Sequence, residues 1–262
     1  MPFAVNQGVC IYYEVEGHGP PLVLHHGIAM SLEFWRYYGY VEALKKSHQL
    51  ILIDARGHGA SDKPCDPAAY HMDLMVGDVL AVLDELEIAT AHYWGFSMGA
   101  VVGFQIARHD LTRLHSFTVG GMSPYVTQLE KRYSARVAQL LGMGLQVFVD
   151  LLEEASGTMS HEAKALMLDN DLQALRAASS AFDQWPGAAD ILSTITIPCL
   201  VYAGEADYYR SGARECAKHM PNATFVPLPK LSHALSFTRG DLVLPHVTQF
   251  LAGISQREER IS

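Results

Sequence analysis

Short runs of β-branched, leucine and aromatic residues recur along this chain, and after the opening ones they alternate with longer stretches of helical spacing, a pattern that admits few architectures. The runs are Val9 to Val15, Leu22 to His25, Leu50 to Ile53, His92 to Phe96, Ser116 to Val119, Cys199 to Ala203 and Thr224 to Val226. Helical spacing links Leu74, Val79, Val82, Leu83 and Leu86, and again Val101, Val102, Phe104 and Ile106. Strands that are apolar throughout are buried on both faces, and a connection long enough to hold a helix lets successive strands run parallel. The expected class is therefore α/β, a mostly parallel sheet with helices on both faces. The opening differs, because Asn6-Gln7-Gly8 separates two short extended runs and offers a hairpin turn, so the sheet should begin antiparallel.

At 262 residues and 49% apolar content, one large domain fits the length. From about Pro124 to Trp185 the strand signal stops and Leu, Met and Ala dominate, with Gly142, Gly144, Gly157 and Pro186 as punctuation. This reads as a helical cap, 124–186, inserted into a core formed by 1–123 and 187–262, lying over one end of the sheet as a lid. The tail Gln256 to Ser262 is charged and is expected to be loose.

The formal charge of -9 repels a phosphate backbone and argues against nucleic acid as a partner. The basic pairs at Lys45, Lys46 and at Lys131, Arg132 read as solvated faces. Cys10, Cys65, Cys199 and Cys216 lack the spacing of a zinc site, so free thiols and no metal are expected. The start Met1 to Asn6 has no basic region followed by an apolar run, and no segment approaches the ~20 apolar residues that span a bilayer. The expectation is a cytoplasmic protein, monomer or homodimer, with no membrane partner.

Chemistry concentrates at Gly95-Phe96-Ser97-Met98-Gly99, which follows one strand run and opens an apolar helix. A bend that sharp places Ser97 at its tip and leaves no room for side chains two residues either side, which is a steric reason for both glycines. The helix also directs its positive end at Ser97. A shuffled chain of this composition yields the pattern about 0.1 times, so the strand and helix context gives it weight. A glycine-flanked serine in a tight loop is the plain alternative.

A serine hydroxyl needs a base to take its proton and an acid to orient that base. Both follow in order. Cys199 to Ala203 leads into Gly204-Glu205-Ala206-Asp207, at the carboxyl end of a buried run where sites of open α/β sheets gather. Asp207 is the expected acid, with Glu205 as neighbour and rival. Pro227 to Ser232 leads to His233, the expected base, while His246 falls inside the last helix. Leu24-His25-His26-Gly27-Ile28 ends an early strand in a glycine turn. There the N–H of Ile28, with that of Met98, would hold a developing oxyanion, and His26 would be structural.

These residues resemble the α/β-hydrolase superfamily. The likeness spans essentially the whole chain: His26-Gly27 with Trp35, Asp54 to Asp62, the elbow, Gly204 to Asp207, and Ser232-His233. It implies an eight-stranded sheet, a helical cap near 124–186, and an acyl-enzyme mechanism without metal or cofactor. The loop Asp54 to Asp62 is given no chemistry. The pairing of His26-Gly27 with Trp35 and Arg56-Gly57-His58-Gly59-Ala60-Ser61 looks like the carboxylesterase, enol-lactonase and cofactor-free haloperoxidase branches. Serine at 97 departs from the aspartate of haloalkane dehalogenases and epoxide hydrolases.

The expected activity is carboxylic ester cleavage on a small-molecule substrate with an apolar group. Substrate contacts are expected at Phe96, Trp35, Tyr125 and Phe148. Met143, Leu145, Leu151, Leu152, Leu166 and Met167 would equally serve to pack the cap helices together. Lactonases and carbon–carbon bond hydrolases share every residue named, and a ligand receptor with little turnover retains the same triad. Turnover of cyclic esters or vinylogous diketones, or slow turnover with large ligand-induced stabilisation, would separate them.

Overall fold

The structure is a computed structural model and describes residues 2–258. Eight strands form one sheet in the order β1-β2-β4-β3-β5-β6-β7-β8. They are β1 Phe3–Asn6, β2 Val9–Glu16, β3 Pro21–His25, β4 Gln49–Ile53, β5 Ala91–Phe96, β6 Leu114–Gly120, β7 Cys199–Gly204 and β8 Ala223–Leu228. β1 and β2 pair antiparallel around the expected turn, where Gln7 (φ 48°) and Gly8 (φ 83°) are both left-handed. From β4 and β3 onward every pairing is parallel.

The central strands are buried on both sides, and the strand period of two divides them between two cores. In β4, Ile51 and Ile53 join Val23, Tyr93, Phe117 and Val201 in one apolar cluster. Leu50 and Leu52 face the other way and join Leu24, Trp94 and Tyr202. The first cluster is covered by α3 (Met72–Glu85), α4 (Met98–His109) and α9 (Arg210–His219). The second is covered by α1 (Glu33–Tyr37), α2 (Tyr40–Leu44), α10 (Leu235–Thr238) and α11 (Gly240–Glu258).

Register aligns the carboxyl ends. His25 pairs with Gly95, Phe96 with Gly120, and Gly120 with Tyr202, so the loops after β3, β5, β6 and β7 emerge side by side.

Four α-helices stand between β6 and β7: α5 Gln128–Met143, α6 Leu145–Ser156, α7 His161–Leu168 and α8 Leu172–Phe182. Thr127 and Glu130 form a capping box that starts α5. Gly144 (φ 118°) and Gly157 (φ 92°) bound α6 as the spacing suggested, whereas Gly142 is carried inside α5 and breaks nothing. Leu140, Leu141, Phe148, Val149, Met167 and Leu175 bury the inner face of these helices against the second cluster. Asn170 Nδ2–H donates to Ala29 O (3.1 Å), Ser160 Oγ bonds the Tyr37 hydroxyl, and Ser156 Oγ lies 3.2 Å from Ser232 Oγ. The insertion thus rests on the loops after β3 and β8. Of the tail expected to be loose, 256–258 end α11 and 259–262 lie outside the described residues. No helix among the described residues is long and apolar enough to cross a membrane.

Candidate active site

Ser97 sits between β5 and α4 with φ 50° and ψ -111°, a region that a side chain enters only when its surroundings force it. The forcing contacts are visible. A Cβ on Gly95 would lie 2.3 Å from Gly99 O, and one on Gly99 would lie 2.1 Å from His25 O. Ser97 N–H donates to Gly120 O (2.9 Å) and Gly99 N–H to His26 O (3.1 Å), fastening the elbow to β6 on one side and to the turn after β3 on the other. Both glycines are required by close approach.

Asp207 is buried in the loop after β7, and its N–H donates to Gly204 O (3.1 Å). Oδ1 accepts the Tyr209 N–H at 3.0 Å, which leaves Oδ2 for His233 Nδ1 at 3.1 Å. A carboxylate accepts only, so Nδ1 carries the proton and Nε2 is left as an acceptor. Ser97 Oγ lies 3.1 Å from that Nε2. Glu205 is exposed and accepts the Lys230 N–H (3.2 Å), and His246 is exposed on α11, so neither rival approaches Ser97.

The turn after β3 is held by His26. Its Nδ1–H donates to Gly27 O (2.7 Å) and Nε2 accepts the Ala55 N–H (3.1 Å), so both nitrogens are spent on backbone. Burial lowers its pKa to about 4 and keeps the ring neutral, in keeping with a structural role. A Cβ on Gly27 would meet Ser97 Cβ at 3.3 Å, which puts this turn against the nucleophile. Among the described residues no backbone acceptor takes the N–H of Ile28 or Met98. The loop 54–62 is structural: Asp54 Oδ1 accepts Leu32 N–H (2.7 Å), Oδ2 accepts Ala60 N–H (2.8 Å), and Arg56 Nε–H donates to buried Asp78 (2.6 Å).

The fold agrees with that of known proteins. Residues 20–144 match the family described as alpha/beta hydrolase fold. The chain has the α/β-hydrolase fold and is similar in sequence to members of that superfamily. A protein of Azorhizobium caulinodans with the provisional name carbamate hydrolase RutD is 32% identical over 150 residues, 57% of this chain and 55% of that one. The chain thus spans about half the length of that relative. 3-Oxoadipate enol-lactonase 1 of Acinetobacter baylyi is 26% identical over 216 residues, 77% of each chain. The enol-lactonase structure from Burkholderia xenovorans LB400 superposes with a TM-score of 0.84 at 25% identity, over 96% of this chain and 100% of that one.

The α/β-hydrolase core sorts the four expected substrate contacts. Phe96 stays at the site, its ring centroid 5.2 Å from that of His233. Trp35 does not: it is 0% exposed and packed on Tyr40, Trp94 and Phe237, so its role is core packing. Phe148 is likewise buried in the inner face of α6 and packs the insertion onto the sheet. Tyr125 is half-buried and lines a cavity of about 260 Å³ with Met122, Glu130, Phe182, Trp185 and Tyr209. Tyr209 is shared between that cavity and His233, 5.6 Å from the imidazole centroid. A larger hollow of about 640 Å³ opens between Arg210, Arg214, Lys218 and Phe225, and holds none of the groups near Ser97.

Sequence reasoning missed Tyr133, Tyr208 and Tyr209. The last two directly follow the acid, a signal available from the chain alone. Tyr133 comes from α5, where nothing in the sequence indicates which helix face meets His233.

Proposed function

We propose that this α/β-hydrolase cleaves carboxylic esters that carry an uncharged apolar group, through an acyl-enzyme on Ser97. The reading rests on one observation, the continuous contact from Ser97 Oγ to His233 Nε2 and from His233 Nδ1 to Asp207 Oδ2, 3.1 Å at each step. As Ser97 Oγ attacks the ester carbon, His233 takes its proton, and Asp207 fixes the imidazole and stabilises the imidazolium. The alcohol leaves with a proton returned by His233. Water, deprotonated by the same imidazole, then releases the acid and restores Ser97. The amides of Ile28 and Met98 would hold the oxyanion of both tetrahedral intermediates, an interaction whose loss costs about 2.7–4 kcal/mol.

The lining supports an uncharged acyl or alcohol group. Phe96, Met122, Phe182 and Trp185 supply apolar surface, while Glu130 and Asp183 disfavour an anion, with Lys131 as the basic side chain at that cavity. A second reading, a lactonase, is supported by likeness to the Acinetobacter and Burkholderia enol-lactonases over most of the chain. The four free cysteines accord with a reducing compartment, and we place the protein in the cytoplasm.

A serine-directed fluorophosphonate should add a single label, mapped by mass spectrometry to Ser97, and Ser97→Ala should lose both the label and turnover. Ester cleavage by Ser97→Ala near the wild-type rate would remove the assignment. Comparing kcat/KM over linear p-nitrophenyl esters and lactones decides between the two substrate classes.

A further inference from the structure

His233 is held by three aromatic rings of different origin. Phe96, from the elbow, and Tyr209, beside the acid, belong to the core and lie 5.2 and 5.6 Å from its ring centroid. The third is Tyr133 of α5, edge-on at 5.8 Å and 63°. Tyr133 is itself fixed on two sides: its ring stacks on exposed Tyr208 at 4.6 Å and 27°, and meets Tyr209 edge-on at 5.5 Å and 88°. Burial and the nearby Asp207 carboxylate push the Tyr133 hydroxyl upward, so it stays neutral beside the base. A second contact runs in parallel, Ser156 at the end of α6 reaching Ser232, the residue before the base.

We propose that Tyr133 is a positioning residue, the wall by which the helical insertion holds the His233 imidazole between Ser97 and Asp207. The proposal rests on the reading of Ser97 and His233 as nucleophile and base. The physical case is orientational. Both hydrogen bonds of the imidazole are 3.1 Å long, near the outer end of the usual range, and each depends on the ring plane staying where it is. Phe96 and Tyr209 restrict that plane from the core side. Without Tyr133 the ring gains room to turn toward solvent, and the population poised to deprotonate Ser97 falls. The ring of Tyr133 does this work and its hydroxyl does not, because no described residue bonds that hydroxyl. An insertion that docks through Tyr133 therefore sets the base as well as covering the site.

The test compares wild type with Tyr133→Ala, Tyr133→Phe and Tyr208→Ala, using p-nitrophenyl acetate turnover and the rate of fluorophosphonate labelling. Tyr133→Ala should lower kcat about tenfold while KM moves less than about twofold, the split expected when a group is needed in the transition state and not for binding. Labelling should slow by the same factor. Tyr133→Phe should restore both rates to within about twofold of wild type, which general destabilisation of α5 would not predict. Tyr208→Ala removes an exposed ring and should give a smaller fall in kcat. Wild-type rates in Tyr133→Ala, a change confined to KM, or equal losses in Tyr133→Ala and Tyr133→Phe would each overturn the proposal and leave the nucleophile assignment standing. If Tyr133→Ala does not fold, an unchanged kcat in Tyr208→Ala overturns it. Absence of a wild-type adduct on Ser97 would overturn the nucleophile reading and the proposal together.

Discussion

Two carboxylates lie within three positions of each other after β7, and their surroundings give them opposite parts. Asp207 is 6% exposed with both oxygens committed, to Tyr209 N–H and to His233, whereas Glu205 is exposed at the rim. Asp207→Asn keeps the shape but turns an acceptor into a group that can donate, which favours the wrong imidazole tautomer. It should lower kcat by about 10⁴ with little change in thermal midpoint, while Glu205→Gln should stay within about twofold of wild type. Comparable losses in both variants would mean the acid has been misassigned. At this scale the arrangement of the site was legible because it is tied to sterics and order: glycines where only glycine fits, then an acid and a histidine each closing a strand loop. The core position of Trp35 was not legible, because a tryptophan ten residues beyond a strand end can face the site or the core with equal local pattern. Its packing on Trp94 and Phe237, with the indole N–H buried and unbonded, is a matter of tertiary contact alone.

Among elements, the junction of α4 with the turn after β3 decides whether a site exists. Gly99 lies so close to His25 and His26 that an added Cβ would overlap backbone, not a movable side chain. Tyr93, on β5, adds a hydroxyl bond to Gly99 O (2.8 Å). Gly99→Ala must push α4 away from β3, parting the Met98 amide from the Ile28 amide. It should cost at least the 1–3 kcal/mol typical of overpacking and remove the proposed ester turnover, read by thermal unfolding and kcat together. A folded, fully active Gly99→Ala would show that the two loops move independently. Strands were visible in the sequence as unbroken apolar runs, and the antiparallel start from one turn. The insertion was visible only as a helical segment. Its joints at Gly144 and Gly157 follow from chain chemistry, but Gly142 does not interrupt α5, because an isolated glycine costs a helix about 1 kcal/mol and tertiary packing readily exceeds that. The docking that brings Tyr133 to His233 belongs to packing between elements, which a local pattern does not encode.

Across the whole molecule, the same junction makes the fold sensitive to acid. His25, His26 and His58 are buried together beneath the turn after β3, with ring centroids of His26 and His58 5.1 Å apart. Burial lowers all three, His26 to about 4 and His58 to about 3, with mutual repulsion adding to the effect at His25 and His58. Their unfolded values lie near 6.5, so below that pH the unfolded chain binds more protons than the native one. Stability from these groups is therefore complete above about pH 6.5. It falls as pH drops toward 4 for His26 and toward 3 for His58, and levels only below those values. Asp54, which faces His58, and Asp78 are raised by burial and act in the opposite sense as pH falls. The thermal midpoint should be flat from pH 8 to 7 on this account and fall steadily from 6.5 to 5. His58→Asn, which can still donate to Arg56 O as the Nδ1–H of His58 does at 3.0 Å, should reduce the proton uptake on unfolding by about half a proton at pH 6.5, rising to about one at pH 5. A midpoint that does not change between pH 7 and 5 would mean the cluster is open to water in solution, and with it the turn that carries the Ile28 amide.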